Sequence, residues 1–192
     1  YFQNIEKYQF HEVASLIYHF TWHTYCDWYI EFIKSDFKDL NKSHETKKVA
    51  GWVYVQILKL LHPIMPFITE KLWILLVDSK SFLMVQSFSK INFDQSFVES
   101  KTYIKKIIEI ISSLRNLRAD LNISYKNEID IFIDTKNKSL KNFILKYQNE
   151  IERLLKIKSI FYKSVTSQKK SAFIVLIDIT ILVPLEGVVD TV

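Results

Sequence analysis

The sequence predicts a mainly helical fold, an antiparallel helical bundle followed by a small α/β unit. Only 2 Gly and 3 Pro occur in 192 residues, so few positions would interrupt a helix. Up to about Leu121 the apolar residues recur at steps of three and four, as on one face of a helix. After Asn122 they alternate with polar residues, as in a strand. Hydrophobic residues make up 48% of the chain, which suffices for a sizeable core.

Three helices are predicted in the first half of the chain. The first runs from Phe10 to Lys34 without Gly or Pro, with an inward stripe of Phe10, Val13, Ala14, Ile17, Phe20, Thr24, Trp28 and Phe32. Ser43 can cap a second helix, which ends at His62 because the residue before Pro63 is pushed out of the helical region. Pro66 suits the first turn of a third helix, which extends to about Val77.

A connecting segment at 78–93 and a fourth helix complete the predicted bundle, which spans residues 1–121. The segment is polar and has a short extended candidate at Phe82–Gln86. The fourth helix begins at Asp94 or Ser96 and ends near Leu121. Residues 1–3, Tyr-Phe-Gln, resemble the remnant of a purification tag and are left out of this prediction.

Residues 122–192 are predicted to form the α/β unit in the order β-α-β-β. Glu128–Asp134 alternates like a strand, and Ser139 can cap a helix that reaches Leu155. Ser159–Ser164 is a second strand candidate. Ala172–Val183 is predicted to be one long strand ended by Pro184.

Composition indicates a cytoplasmic protein, and the charge is compatible either with a phosphate-rich partner or with a Lys-rich solvated surface. Residues 1–100 hold 10 Lys/Arg and 11 Asp/Glu, whereas residues 101–192 hold 16 and 10, so the basic excess lies in the second half. The single Cys26 excludes an internal disulfide framework and fits a reducing compartment. No apolar run approaches the roughly 18 residues of a membrane helix, and no signal-peptide pattern occurs at the N-terminus.

The sequence offers no catalytic residues and no metal site. With only 2 Gly it cannot build a Gly-rich phosphate loop. His19 and His23 have the spacing of a zinc pair but lack a third ligand, so we interpret them as helix-edge histidines. Cys26 beside His23 lacks an oxyanion-hole loop, and a small buried thiol is the expected state.

Three charged residues predict a structural ion pair. Asp27 and Glu31 are like charges at i, i+4 of the first helix, and Arg118 lies in the apolar stripe of the fourth. A buried guanidinium needs compensation, and its planar fork can serve two carboxylates. We therefore expect Arg118 to pair with Asp27, Glu31 or both and to join the two helices.

Five segments resemble the C-terminal anticodon-binding region of valyl-tRNA synthetases, which are class I aminoacyl-tRNA synthetases. The segments are YQFHEVA at 8–14, CDWYIE at 26–31, LHPIMPFITEKLW at 61–73, LRNLRADLNI at 114–123 and VPLEGVVD at 183–190. The third segment is shared with the isoleucine and leucine enzymes, whereas the second and the last favour valine. They span nearly the whole chain in the family's order.

The resemblance implies a helical bundle of the class I anticodon-binding type, a small α/β unit, and a coiled coil beginning after Val192. It implies a monomer that binds the anticodon stem-loop of tRNA(Val) and no membrane. The class I catalytic signatures do not occur here, so no cofactor is expected in this chain, and ATP and Mg²⁺ belong to the longer enzyme. Candidate RNA contacts are Lys34, Lys101, Lys105, Arg115 and Asn116.

Two other functions remain open from the residues alone. One is a helical protein-interaction scaffold without an RNA role, which salt-dependent tRNA binding would separate from an RNA-binding module. The other is a small hydrolase that uses Cys26 and a histidine, which a thiol-directed inhibitor would test.

Overall fold

A computed structural model describes residues 1–78, 80–88, 96–163 and 170–185, apart from the side chains of residues 38, 40, 41 and 96. The chain divides into two compact units, Tyr1–Asn92 and Phe93–Val192. The predicted helix start at Asp94, the predicted strand end at Ser164 and residues 186–190 of the last family segment lie outside the described residues.

The first unit is helical. Helix α1 spans Phe2–Glu6, α2 Phe10–His19, a π-helical segment Phe20–Ile30, α3 Glu31–Ile33, a 3₁₀ turn Asp36–Lys38, α4 Leu40–Leu61, α5 Pro66–Leu76 and a second 3₁₀ turn Leu83–Val85. Helix α4 packs against α2 and α5. The opening residues take part in this unit, since Phe2 and Gln3 lie in α1 and the Tyr1 hydroxyl donates to the Leu60 carbonyl at 2.8 Å.

The predicted first helix is continuous in outline but changes phase at its π-helical segment. The i→i+5 hydrogen bonds of a π-helix widen each turn, so residues four apart nearly align. The face turned inward therefore runs Val13, Ile17, Thr21, Tyr25, Tyr29 and Ile33. The predicted stripe is wrong at Phe10 and Ala14 of α2 and at Phe20 and Thr24 of the π-helical segment, because these four residues are exposed.

The turn between α4 and α5 forms where the His-Pro segment predicts a helix stop. Pro66 occupies the first turn of α5. The buried Thr69 hydroxyl donates to the Met65 carbonyl at 2.8 Å, and His62 Nδ1 lies 2.8 Å from the same hydroxyl. These side-chain bonds hold the end of α4 to the start of α5.

The segment after α5 turns back onto that helix. The Glu70 carboxylate accepts from the Leu83 backbone N–H at 2.8 Å, and Trp73 Nε1 donates to the Ser81 carbonyl at 2.9 Å. Leu83 is thereby buried against Leu58 and Trp73. The extended stretch predicted at Phe82–Gln86 is wrong, since Leu83–Val85 is a 3₁₀ turn.

The second unit combines three helices with one four-stranded sheet. Helix α6 spans Ser96–Asp120, β1 Ile129–Asp134, α7 Lys138–Lys146, α8 Gln148–Leu155, β2 Ile157–Tyr162, β3 Ser171–Leu176 and β4 Ile179–Pro184. The sheet order is β2-β1-β4-β3, with β1 and β2 parallel and the other pairs antiparallel.

Two sequence predictions for this unit need correction. The long strand Ala172–Val183 is a hairpin, β3 and β4, that turns at Ile177 and Asp178. The single helix predicted from Ser139 to Leu155 breaks at Tyr147 into α7 and α8, and Asn137 caps α7 by accepting from the Leu140 N–H at 3.0 Å. The described residues of the unit thus form four strands where three were predicted.

The core of the second unit lies between the sheet and its helices. Ile129, Ile131 and Ile133 alternate to the covered face of β1 and are at most 2% exposed. Helix α6 contacts α7 and α8, and contributes the buried side chains of Ile107, Ile110, Ile111 and Leu114. The predicted boundary near Asn122 therefore marks the end of α6, whereas the compact units divide between Asn92 and Phe93.

Candidate nucleic-acid interface

Four of the five candidate RNA contacts lie on one face of α6. Lys101, Lys105, Arg115 and Asn116 are exposed, and their spacing in a helix of 3.6 residues per turn confines them to an arc of roughly 100°. At 1.5 Å per residue, this row is about 22 Å long. Within the described residues, neither Lys101 nor Lys105 forms an ion pair. Their ammonium groups are therefore available to a phosphate backbone.

Arg115, on α6, extends toward the end of α8 within the second unit. Its Nη2 lies 3.5 Å from the Leu154 carbonyl at the end of α8. This long bond places the guanidinium near a helix C-terminus, where a cation is favoured.

Lys34 lies in the first unit and forms an ion pair with Glu31 three residues earlier. The pair is partly exposed and stabilises the helix end only weakly.

Arg118 is buried, as predicted, and within the second unit it donates to backbone carbonyls, while its pairing with Asp27 or Glu31 stays a prediction. It is 5% exposed, and its Nη1 donates to the Leu155 carbonyl at 3.0 Å, while Nη2 donates to the Asn127 carbonyl. Burial lowers the pKa of this guanidinium. Among the described residues of the second unit, no carboxylate forms an ion pair with it. Backbone carbonyls thus compensate this guanidinium within the second unit.

The two carboxylates have partners on their own helix. His23 Nδ1 lies 3.3 Å from Asp27, and Lys34 pairs with Glu31. These spacings of four and three residues relieve the like-charge repulsion locally. The signal was present in the sequence, since His23 precedes Asp27 by one turn and Lys34 follows Glu31 by one turn.

The residues considered for other chemistry, His19, His23 and Cys26, are all exposed. Cys26 is exposed, so the prediction of a buried thiol is wrong. The rings of His19 and His23 are 5.3 Å apart. In the part of the chain that the structure describes, no three His, Cys, Asp or Glu side chains gather where they could bind a metal ion. No described helix is both long and apolar enough to cross a membrane.

One aromatic row was missed by sequence reasoning. Phe132, Phe161 and Phe173 lie on the sheet face opposite the core, on three different strands. Alternation in Ile129–Asp134 already places Phe132 opposite the isoleucines. Treating residues 172–183 as one strand concealed Phe173, because only the hairpin brings it into register with the other two.

The helical first unit and the order of the five sequence segments indicate a class of protein, and comparison with known proteins agrees. The profile of a family described as "Anticodon-binding domain of tRNA ligase" matches residues 1–133. The chain belongs to this family. The match covers the whole first unit and, in the second, α6 and most of β1.

Within the family, the similar curated proteins are named valine–tRNA ligase. The chain is 36% identical to that of Pelagibacter ubique over 84% of its length, and 35% identical to that of Zymomonas mobilis over 98%. The enzyme of Syntrophotalea carbinolica is 32% identical over 97% of the chain. The chain spans about a fifth of the length of these relatives, 19 to 22%.

Proposed function

We propose that this chain binds the anticodon stem-loop of tRNA(Val) as the anticodon-binding region of a valine–tRNA ligase. The observation that carries the proposal is the family match over residues 1–133, joined to relatives named valine–tRNA ligase along nearly the whole chain. Aminoacylation, with its ATP and Mg²⁺, belongs in this proposal to the remainder of the longer enzyme. We further propose that it acts as a monomer in the cytoplasm.

The row on α6 is the proposed backbone-binding surface. Lys101, Lys105 and Arg115 offer cations, and Asn116 offers an amide that can donate to a phosphate oxygen. Most protein–nucleic acid hydrogen bonds go to phosphate and sugar, and these contacts set position rather than sequence preference. Lys34 is a secondary contact, because it would have to leave the Glu31 carboxylate in order to bind an RNA phosphate.

The test is tRNA binding by the 192-residue chain as salt is varied, comparing tRNA(Val) with a variant of altered anticodon. Affinity for tRNA(Val) should fall steadily with rising salt because bound counterions are released on binding. The altered anticodon should bind more weakly at every salt concentration. Affinity that is independent of both salt and anticodon would overturn the proposal and favour a protein-interaction scaffold.

Two double variants test whether tRNA binding depends on the α6 row or only on the total positive charge of the chain. Lys101→Gln with Lys105→Gln should weaken tRNA binding and reduce the salt slope by about 2, or about 1 per phosphate contact. Lys47→Gln with Lys48→Gln removes the same charge from exposed positions on α4 and should change affinity much less. Equal losses in the two double variants would mean that no surface on α6 is preferred.

A further inference from the structure

The open face of the sheet carries a row of apolar side chains that crosses all four strands. Phe161 pairs with Phe132, Phe132 with Leu182, and Leu182 with Phe173. Because partners in register point to the same face, these four side chains lie side by side. The opposite face holds the buried isoleucines of the core. The row therefore adds nothing to that core.

The aromatic members of the row are accessible at its two ends. Phe161 and Phe173 are each 44% exposed, whereas Leu182, which lies between them in the row, is only 2% exposed. The rings of Phe132 and Phe161 are stacked, with centroids 5.0 Å apart and planes 20° from parallel. A planar group placed against Phe161 would extend a stack that already exists.

Positive charge lies at the Phe161 end of the row. Lys163 Nζ is 4.4 Å from the centroid of the Phe132 ring, and Lys158 is exposed on β2. Strand β2 is an edge strand, so a polymer could pass alongside these lysines. Asp130 and Asp134 alternate to the open face of β1, so a phosphate backbone is favoured along β2 and disfavoured over β1.

We propose that this face is a base-stacking platform for single-stranded RNA, with unpaired bases on Phe161 and Phe173 and phosphates beside Lys158 and Lys163. The proposal rests on the proposed RNA-binding function and adds to it a second contact surface in the α/β unit. Stacking on aromatic side chains with cations tracking the backbone is the general way that proteins hold unpaired nucleotides. A four-stranded sheet with exposed aromatic residues is one established scaffold for it.

RNA suits this row better than a protein partner for two reasons. The exposed apolar side chains are phenylalanines carried by rigid strands, which offer flat faces rather than a groove. The neighbouring cations fit a polyanion, and residues 101–192 carry six more Lys/Arg than Asp/Glu. Stacking also requires no particular base, so the platform should accept a simple pyrimidine strand.

The experiment measures binding of a labelled oligouridylate, about ten nucleotides long, by fluorescence anisotropy. Phe161→Leu with Phe173→Leu keeps apolar surface but removes both rings, and should weaken binding by about tenfold or more. Phe161→Trp should retain binding, and oligouridylate should quench the fluorescence of the added indole. Phe67→Leu, at a phenylalanine that is 90% exposed in the first unit, is the matched control and should bind as the unaltered chain does.

The outcomes separate this platform from the proposed function. If the double variant binds oligouridylate within about twofold of the unaltered chain, where alanine substitution at a stacking site typically costs far more, the platform is wrong. If the unaltered chain does not bind oligouridylate but binds tRNA(Val) through Lys101 and Lys105, the platform is wrong and the proposed function stands. If the double variant loses oligouridylate while tRNA binding ignores the anticodon, the platform stands and the proposed function fails. Loss of self-association in the double variant, with RNA binding unchanged, would assign the face to a second copy of the chain.

Discussion

The two units differ in how fully they bury their apolar side chains. Among the described residues, the second unit buries nineteen apolar side chains, whereas the first, of similar length, buries eight. The contrast reverses at the surface, where the first unit exposes twenty-one large apolar side chains and the second eight. Burial of apolar surface is the main favourable term in folding, so the second unit should be the more stable of the two.

The difference follows from the architectures. The sheet of the second unit presents alternate residues to one covered face, so every second residue of β1 and β4 enters the core. Helix α2, the π-helical segment and helix α4 of the first unit bury narrow stripes and leave apolar side chains such as Tyr18, Trp22 and Trp52 exposed. Apolar surface of this extent is typical of interaction surfaces rather than of free ones.

The largest effect expected is that of a core substitution in the second unit. Ile131 is fully buried at the centre of β1, and Ile131→Ala should lower the free energy of unfolding by about 3–4 kcal/mol, from lost burial and the cavity left behind. Ile68→Ala, at a residue 49% exposed on α5, should cost about 0.5 kcal/mol or less. Urea unfolding followed by circular dichroism measures both. Equal costs would mean that the contrast in burial has no energetic counterpart.

Arg118→Ala should come next, at about 2–3 kcal/mol. The substitution leaves two backbone carbonyls, those of Leu155 and Asn127, without their donor. The loss should appear in the unfolding of the second unit alone, which NMR signals assigned to each unit can report.

Asp27→Asn is the matched variant for Arg118. An ion pair between Arg118 and Asp27 would make the two substitutions about equally costly, because either leaves a buried charge alone. Since Asp27 instead faces the half-exposed His23, we expect Asp27→Asn to cost at most about 0.5 kcal/mol. Comparable losses would support the ion pair predicted from the sequence.

Arg118 illustrates what sequence patterns can and cannot determine. Its position in an apolar helical stripe predicted its burial correctly, because periodicity reports which face a residue occupies. Its partners depend on which chain segments pack against that face, and backbone carbonyls carry no signature in the sequence. The same limit applies at Thr24, where the π-helical segment shifts the phase of the stripe.

The candidate site was predicted in part for a similar reason. The exposed face of α6 follows directly from helical spacing, so Lys101, Lys105 and Asn116 lie together as expected. The aromatic row on the sheet requires the register of four strands, which is set by the turn at Ile177 and Asp178. A two-residue turn without Gly or Asn is a weak signal, so the hairpin was missed.

High pH should weaken the second unit through Tyr162. Burial, and to a smaller extent Glu152, raises the pKa of Tyr162 to about 12, while its hydroxyl has no hydrogen-bond partner among the described residues. The unfolded chain releases this proton near pH 10, so the folded state binds more protons between about pH 10 and 12. Stability is therefore full below pH 10 and declines as the pH rises through that range, by about 2 kcal/mol after allowing for partial solvation.

Tyr162→Phe isolates this contribution from the other tyrosines of the chain. The variant should lack the part of the alkaline decline that belongs to Tyr162, and the difference between the two unfolding curves above pH 10 measures it. At neutral pH it should be as stable as the unaltered chain, or slightly more so, because no hydrogen bond is lost. Parallel curves at all pH values would show that Tyr162 ionises as freely in the folded unit as in the unfolded chain.

The two units also differ in the side-chain capping of their helices, which has a smaller effect on stability than the core substitutions. The N-cap residues of α2 and α5 in the first unit make no side-chain capping bond, whereas Asn137 in the second caps α7 with a 3.0 Å bond from the Leu140 N–H. Asn137→Ala should therefore cost about 1 kcal/mol in the unfolding of the second unit. Ser139, the cap predicted from the sequence, lies exposed inside the first turn of α7, and Ser139→Ala should be neutral or slightly stabilising because alanine favours a helix. A larger loss for Ser139→Ala than for Asn137→Ala would mean that Ser139 rather than Asn137 caps α7.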